Sequence, residues 1–122
     1  MSNSGGFLTT HVLDTARGCP ASGLAVDLFR LTGNSRELVA TATTNADGRT
    51  DSPMLGIKED LRVGIYELVF HAGDYMRSQS GMKDEELFLD EVPIRFTMNK
   101  ADAHYHVPLL LSPFGYATYR GS

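Results

Sequence analysis

A chain of 122 residues has the usual length of one domain and is long enough to bury its own core. Its 42% hydrophobic and 21% charged residues are typical of a globular protein and exclude a fibrous repeat or a disordered chain. A formal net charge of −4 with only 11 lysines and arginines argues against nucleic acid as a partner and favours a small molecule or another protein. No stretch is long and apolar enough to cross a bilayer and the first residues do not resemble a secretory signal, so we expect a cytoplasmic protein without a membrane partner.

Short segments rich in branched and aromatic residues alternate with Gly, Asn, Asp and Pro, which predicts an all-β sandwich or barrel. The chain is expected to have a flexible N-terminus over 1–6 and a single domain over 7–122. The predicted strands cover 7–14, 24–32, 37–44, 62–71, 92–98, 103–111 and 115–120. Residues 17–23 are predicted to form a loop. The Asp47-Gly48 step predicts a chain reversal that leaves Arg49 just past the turn.

One segment departs from the strand pattern. Asp74 is a candidate N-cap and Gly81 a candidate C-cap, so a short helix is predicted between them. The acidic run over 83–86 is expected to be a solvated loop. Cys19 is the one cysteine of the sequence and is interpreted as an inert loop residue.

The strand over 103–111 has two chemically different faces. Alternation places one set on the core face, namely Tyr105, Val107, Leu109 and Leu111. The opposite face carries His104, His106, Pro108 and Leu110. Because a monomer would leave the apolar part of this second face in water, the pattern predicts a subunit interface. His11 alternates with core positions in the first strand and is expected to face the same surface.

Each histidine also has a non-catalytic interpretation, since a lone histidine in a strand is more often a surface or hydrogen-bonded residue. This alternative stays open for His11 and His106, and His71 is interpreted as structural. His104 and His106 lie on one side of one strand, which is an acceptable geometry for zinc with His11 as a third ligand. No cysteine pair or nearby carboxylate accompanies them, so we predict no metal site.

Several motifs together carry a family resemblance. They are Thr10-His11-Val12-Leu13-Asp14, Gly18-Cys19-Pro20-Ala21, Thr44-Asn45-Ala46-Asp47-Gly48-Arg49, His104-Tyr105-His106-Val107-Pro108-Leu109-Leu110-Leu111-Ser112 and Tyr119-Arg120-Gly121-Ser122. They resemble the motifs of the 5-hydroxyisourate hydrolases of the transthyretin-like family, over nearly the whole chain. The early motifs are shared in weaker form with the transthyretin hormone carriers, whereas the last tetrapeptide is typical of the hydrolases.

The resemblance implies a fold and an assembly. The fold is a transthyretin-like (prealbumin-like) β-sandwich of two sheets and about eight strands with one short helix. Because the residue patterns give seven strands, we expect the missing one near Thr50–Leu55. The implied assembly is a homotetramer, a dimer of dimers, with clefts lined by facing subunits.

The resemblance also implies a reaction without a cofactor. The expected substrate is 5-hydroxyisourate, whose cyclic amide bond would be hydrolysed to 2-oxo-4-hydroxy-4-carboxy-5-ureidoimidazoline in urate degradation. One histidine would activate water, with His106 favoured as the base over His11, although the two roles are exchangeable. Arg49 would bind the substrate carbonyls, stabilise the oxyanion and keep the imidazoles neutral. The alternative function is a carrier of hormone-like small molecules without catalysis.

The terminal tetrapeptide supplies the remaining candidate residues. By the resemblance, Ser122 belongs to the catalytic group, and Tyr119 and Ser122 contact the substrate. Arg120 is assigned to the substrate-binding tail and is expected to anchor it by pairing with a carboxylate.

Overall fold

The computed structural model describes residues 5–57 and 59–122, and eight strands form two sheets of four. The strands are β1 (Phe7–Asp14), β2 (Cys19–Pro20), β3 (Ala25–Thr32), β4 (Ser35–Thr43), β5 (Gly64–His71), β6 (Glu91–Met98), β7 (His104–Ser112) and β8 (Gly115–Thr118). One helix, α1 (Ala72–Gln79), follows β5, and a 3-10 turn covers Asp84–Glu86. The predicted all-β class with one short helix is confirmed.

The sheet that bears the histidines has the strand order β2-β1-β7-β8 and is called the site sheet here. Its central pair, β1 and β7, is parallel, whereas the other pairs are antiparallel. The register runs from Phe7 opposite His104 to Asp14 opposite Leu111, and it places Thr9 directly opposite His106. The second sheet has the order β4-β3-β5-β6.

The core lies between the two sheets, and the predicted strand faces are confirmed, except that Pro108, which was expected on the wet outer face, is buried in the single chain. Leu8, Val12 and Leu109 of the site sheet are fully buried, as are Val26 and Leu68 of the second sheet. Side chains alternate along a strand, so the residues between these core positions point to the outer face of the site sheet. His11 and His106 are therefore only partly buried.

The eighth strand is not where the resemblance led us to expect it. The two-residue strand β2 pairs Cys19 with Asp14 and Pro20 with Leu13, in a segment predicted to be a loop. A strand of two residues is too short to give an alternating pattern. It is defined by its pairing with β1 and not by its local sequence. Residues 50–55 form no strand, and meet β1 through an isolated bridge between Leu55 and Leu8.

Helix α1 begins three residues earlier than predicted, so the assignment of Asp74 as its N-cap is wrong. His71 occupies the N-cap position without a side-chain cap, and Asp74 lies in the first turn. The N–H of Gly73 donates to the Asp90 carbonyl at 2.8 Å, so this end of the helix is satisfied by backbone contact. Gly81 follows the C-cap residue with a φ of +68°, as a helix-terminating glycine does.

The N-terminus was predicted to be flexible and the acidic segment over 83–86 to be solvated. The predicted flexible N-terminus lies outside the described residues for positions 1–4, while Gly6 is buried. The acidic run over 83–86 is exposed, as expected of a solvated segment. Within the two described ranges, no helix is long and apolar enough to cross a membrane.

Candidate active site

A cavity of about 300 Å³ opens on the outer face of the site sheet. It is lined by Thr9, Thr10, Arg49, Thr50, His104, His106 and Ser122. These side chains come from β1, β7, the segment that follows the Asp-Gly turn, and the tail after β8. The lining is dominated by hydroxyl, imidazole and guanidinium groups, which suit a small polar ligand.

The Asp-Gly turn leaves Arg49 just past it, as the sequence predicts, and the structure places this residue beside His11. The Asn45 side-chain oxygen accepts hydrogen bonds from the backbone N–H groups of Asp47 at 2.9 Å and Arg49 at 3.2 Å. Gly48 has a φ of +75°, and a Cβ there would lie 3.3 Å from the His11 ring. An antiparallel bridge then joins Arg49 to His11. The turn therefore fixes a permanent cation next to one candidate base.

His104 and His106 share a single hydroxyl group. Thr9 Oγ1 lies 2.8 Å from His104 Nε2 and 2.8 Å from His106 Nδ1. The exposed His104 ring is also stacked on Phe7, with ring centroids 4.1 Å apart and an interplanar angle of 18°. Both imidazoles are thus held in fixed orientations on the outer face.

The tail lies directly against His106. The backbone N–H of Gly121 donates to the His106 carbonyl at 2.7 Å. A Cβ at Gly121 would approach His106 Cδ2 to 2.5 Å, so only glycine fits between the tail and the ring. This close approach brings Ser122 to the edge of the cavity.

Arg120 anchors the tail differently from the sequence prediction. Its Nη2 donates to the His104 carbonyl at 3.3 Å, and its Cζ lies 4.4 Å from the Tyr105 ring centroid. Within the described residues no carboxylate lies within ion-pair distance of Arg120, so the expected carboxylate partner is wrong. Tyr119 is 57% exposed and does not line the cavity of the single chain.

The electrostatics of the site favour neutral imidazoles. Burial lowers the pKa of His106, and the positive charges of Arg49, His104 and His11 lower it further. Burial also lowers the pKa of His11, with Arg49 as the second cause, against a smaller opposing effect of Asp47. The sequence predicted the effect of Arg49, but burial is the larger cause and has no local signal.

Three of the six predicted site residues, Arg49, His106 and Ser122, line the cavity. His11 does not line it but is joined to Arg49 by the antiparallel bridge. Sequence reasoning missed Thr9, which contacts both histidines of β7, and considered His104 only as a zinc ligand. The missing signal is the parallel pairing of β1 with β7, which nothing local in either segment predicts. In the part of the chain that the structure describes, no three His, Cys, Asp or Glu residues are placed to share a metal ion. His71 lies outside the site and bonds Asp27 through Nε2 at 2.9 Å.

Comparison with known proteins gives the family. A family model described as HIUase/Transthyretin matches residues 8–121. The chain belongs to this family. One relative is a Rhizobium meliloti protein named 5-hydroxyisourate hydrolase 2. It is 58% identical to this chain over 122 residues, and the alignment covers 100% of both chains.

Two solved structures have a fold similar to that of this HIUase/Transthyretin family member. The crystal structure of an (S)-allantoin synthase superposes with a TM-score of 0.89 at 47% identity, covering 99% of this chain but only 45% of that longer one. Sea bream transthyretin in complex with thyroxine superposes with a TM-score of 0.80 at 27% identity, covering 93% of each chain. The predicted transthyretin-like sandwich is therefore confirmed.

Proposed function

We propose that this protein hydrolyses 5-hydroxyisourate to 2-oxo-4-hydroxy-4-carboxy-5-ureidoimidazoline, a step of urate degradation. The observation that carries the proposal is the polar cavity in which His106, of lowered pKa, lies beside the guanidinium of Arg49. The full-length relative at 58% identity, which is named as such a hydrolase, supports the same substrate.

The proposed chemistry needs an activated water, a stabilised carbonyl oxygen and a proton for the departing nitrogen. His106 engages Thr9 through Nδ1, so its Nε2 is the atom that would take the proton from water. His11 would orient the water or return the proton to the nitrogen, and these two roles can be exchanged. Arg49 would bind the oxyanion, a contribution of about 3 kcal/mol for a well-placed donor. No metal or cofactor takes part in this scheme.

The tail has a binding role in the proposal. Ser122 borders the cavity, and its hydroxyl would contact the substrate there. Arg120 would hold the tail in place through the His104 carbonyl and the Tyr105 ring. The exposed Tyr119 would contact the substrate from the rim.

An absorbance assay tests the function directly. Urate oxidase generates 5-hydroxyisourate in the cuvette, and the protein should accelerate the decay of its ultraviolet absorbance. His106→Asn should lower kcat by roughly 10²-fold, because it removes the base. His71→Asn is the matched control and should leave the rate unchanged, since His71 bonds Asp27 outside the cavity. An unaccelerated decay with the wild-type protein would reject the function, and loss of activity on adding a chelator would reject the metal-free scheme.

The carrier alternative requires a different cleft. An apolar hormone-like ligand would have to cover His106, Arg49 and Ser122, and burying such groups without polar partners is unfavourable. Titration with thyroxine as the probe separates the two functions. We expect no saturable binding at concentrations where 5-hydroxyisourate is turned over, and tight binding without turnover would favour the carrier.

We further propose that residues 7–122 form one domain and that four chains assemble as a dimer of dimers. Strand β8 lies at one edge of the site sheet, and β4 and β6 lie at the edges of the second sheet, so both sheets have edge strands at which another subunit could pair. The partly exposed face of His106 and Leu110 would then line a cleft between subunits. Light scattering after gel filtration should give about four times the chain mass of 13.3 kDa. A cytoplasmic location is part of the proposal and is checked by cell fractionation.

A further inference from the structure

The Thr9 hydroxyl contacts two imidazoles of the site, although the scheme above uses only its contact with His106. Thr9 Oγ1 lies 2.8 Å from a ring nitrogen of His104 and 2.8 Å from a ring nitrogen of His106. A threonine hydroxyl carries one proton, so it cannot donate to both nitrogens, and where it donates to one of them it accepts from the other. The protonation patterns of the two imidazoles are therefore coupled through one oxygen atom.

The coupling allows two arrangements of the neutral rings. In the first, His106 Nδ1–H donates to Thr9 Oγ1, and the Thr9 hydroxyl donates to His104 Nε2. In the second, His104 Nε2–H donates to Thr9 Oγ1, and the Thr9 hydroxyl donates to His106 Nδ1. The first leaves a lone pair on His106 Nε2, as a general base needs, and the second leaves a proton there, as a general acid needs.

We propose that Thr9 and His104 are positioning residues that set the tautomer of His106 and relay its proton, with the first arrangement as the resting state. Thr9 engages Nδ1 of His106, so Nε2 is the ring nitrogen left for a water molecule, and the cavity lined by His106 and Arg49 is where that water would lie. The positive charge of Arg49 lowers the pKa of His106 and so favours its neutral form. The inference rests on the proposed function for the direction of proton flow. The link itself rests on the two contacts of Thr9 alone.

His106 Nε2 takes a proton from the attacking water, and the Nδ1 proton of the same ring moves to Thr9 Oγ1. The Thr9 proton passes to His104 Nε2, and the exposed His104 ring releases its Nδ1 proton to solvent. His106 is then neutral with a proton on Nε2, ready to protonate the departing nitrogen of the substrate. When Nε2 gives its proton to that nitrogen, the relay runs back: His104 Nδ1 takes a proton from solvent, His104 Nε2 passes its proton to Thr9 Oγ1, and the Thr9 hydroxyl proton moves to His106 Nδ1. His106 is then again neutral, with a lone pair on Nε2.

The positions of the participants support this path. His106 is partly buried, whereas His104 is exposed to solvent. The stack of His104 on Phe7 holds its ring in place with a 4.1 Å centroid separation. An exposed histidine without such support would sample many rotamers and would rarely face the hydroxyl.

The test uses tautomers and rates together. In ¹⁵N-labelled resting protein at roughly pH 8, above the ordinary imidazole pKa, the ¹⁵N shifts should place the His106 proton on Nδ1. In His104→Phe, which keeps a ring to stack on Phe7, the Thr9 hydroxyl is free to donate to Nδ1, so the proton of His106 should move to Nε2. This readout needs no substrate and stays informative if the hydrolase function itself fails. A wild-type His106 with its proton on Nε2 would overturn the proposal.

The kinetic arm distinguishes a relay from simple structural support. Thr9→Val removes the hydroxyl at constant shape and should lower kcat about tenfold or more with little change in KM, because the general base loses its tautomer control. Thr9→Ser keeps the hydroxyl and should restore most of kcat. The double variant with His104→Phe should be no slower than the slower single variant, since both changes break one link. Additive losses, a failure of Thr9→Ser, or full activity of Thr9→Val would overturn the relay, and Thr97→Val on an exposed stretch of β6 serves as the matched control.

Discussion

Replacing Gly121 by alanine should separate activity from stability. A Cβ at this position would lie 2.5 Å from His106 Cδ2, against an ordinary carbon–carbon separation of about 3.5 Å. The tail or the imidazole must therefore move by about 1 Å. A displacement of that size in a catalytic group lowers the rate by about 10²-fold. The backbone of Gly121 is not in the left-handed region, so the conflict is purely steric.

The expected cost in stability is small because the tail can lift away from the sheet. Lifting breaks the 2.7 Å hydrogen bond from Gly121 to the His106 carbonyl, which contributes about 1 kcal/mol. For a domain of this size such a loss lowers Tm by about 4 °C. We therefore expect Gly121→Ala to lose about 10²-fold in kcat/KM in the absorbance assay while remaining folded by differential scanning calorimetry.

Gly115 supplies the matched control near the same end of the chain. A Cβ there would meet only the Ser112 hydroxyl, at 3.9 Å, so Gly115→Ala should leave the rate unchanged. Wild-type kcat/KM in Gly121→Ala would refute the view that the tail must rest on the His106 ring. A loss of folding in Gly121→Ala would refute the view that the tail is only locally attached.

Two further substitutions probe charges inside and outside the site. Arg49→Gln removes a positive charge that lowers the pKa of His11 and of His106, so both pKa values should rise. Because a general base is active when deprotonated, the acid limb of the pH profile of kcat should then move to higher pH. An acid limb that stays in place would contradict this. Asp27→Asn removes the hydrogen bond that raises the pKa of His71. Because this pKa is higher in the folded state, the interaction stabilises the fold fully below the ordinary pKa of about 6.5. That stabilisation is lost as the pH rises through the raised pKa. Thermal melts should thus show a deficit for Asp27→Asn at low pH that disappears in alkaline buffer, with catalytic rates unchanged, and a deficit that grows with pH would contradict the assignment.

The strand faces were predictable because alternation has a short period. The outward direction of His106 and the burial of Val107 follow from neighbouring residues alone, and both are confirmed. The position of Arg49 was equally local, since an Asp-Gly step reverses the chain wherever it stands. Strand alternation and four-residue turns depend on neighbouring residues, so the segment that forms them also carries their sequence signal.

The features that sequence reasoning missed depend on distant partners. Strand β2 exists only because Cys19 and Pro20 pair with the end of β1. The role of Thr9 depends on a register between segments 97 residues apart. The lowered pKa of His106 has burial as its largest cause, and burial is set by the packed tail and strands together. The partner of Arg120 was wrong for the same reason, since a backbone carbonyl of β7 takes the place of the expected carboxylate.

The parallel pairing of β1 with β7 also has a consequence during synthesis. Thr9 leaves the ribosome about a hundred residues before His106, and at typical elongation rates this interval is on the order of 5–20 seconds. During that time β1 has no partner from β7, and closing such a long loop makes the pairing a slow step of folding. An arrested nascent chain that lacks β7 would therefore expose the edge of β1 that pairs with β7, and it would contain neither His104 nor His106. The appearance of activity would thus report completion of the fold instead of the gradual growth of the chain.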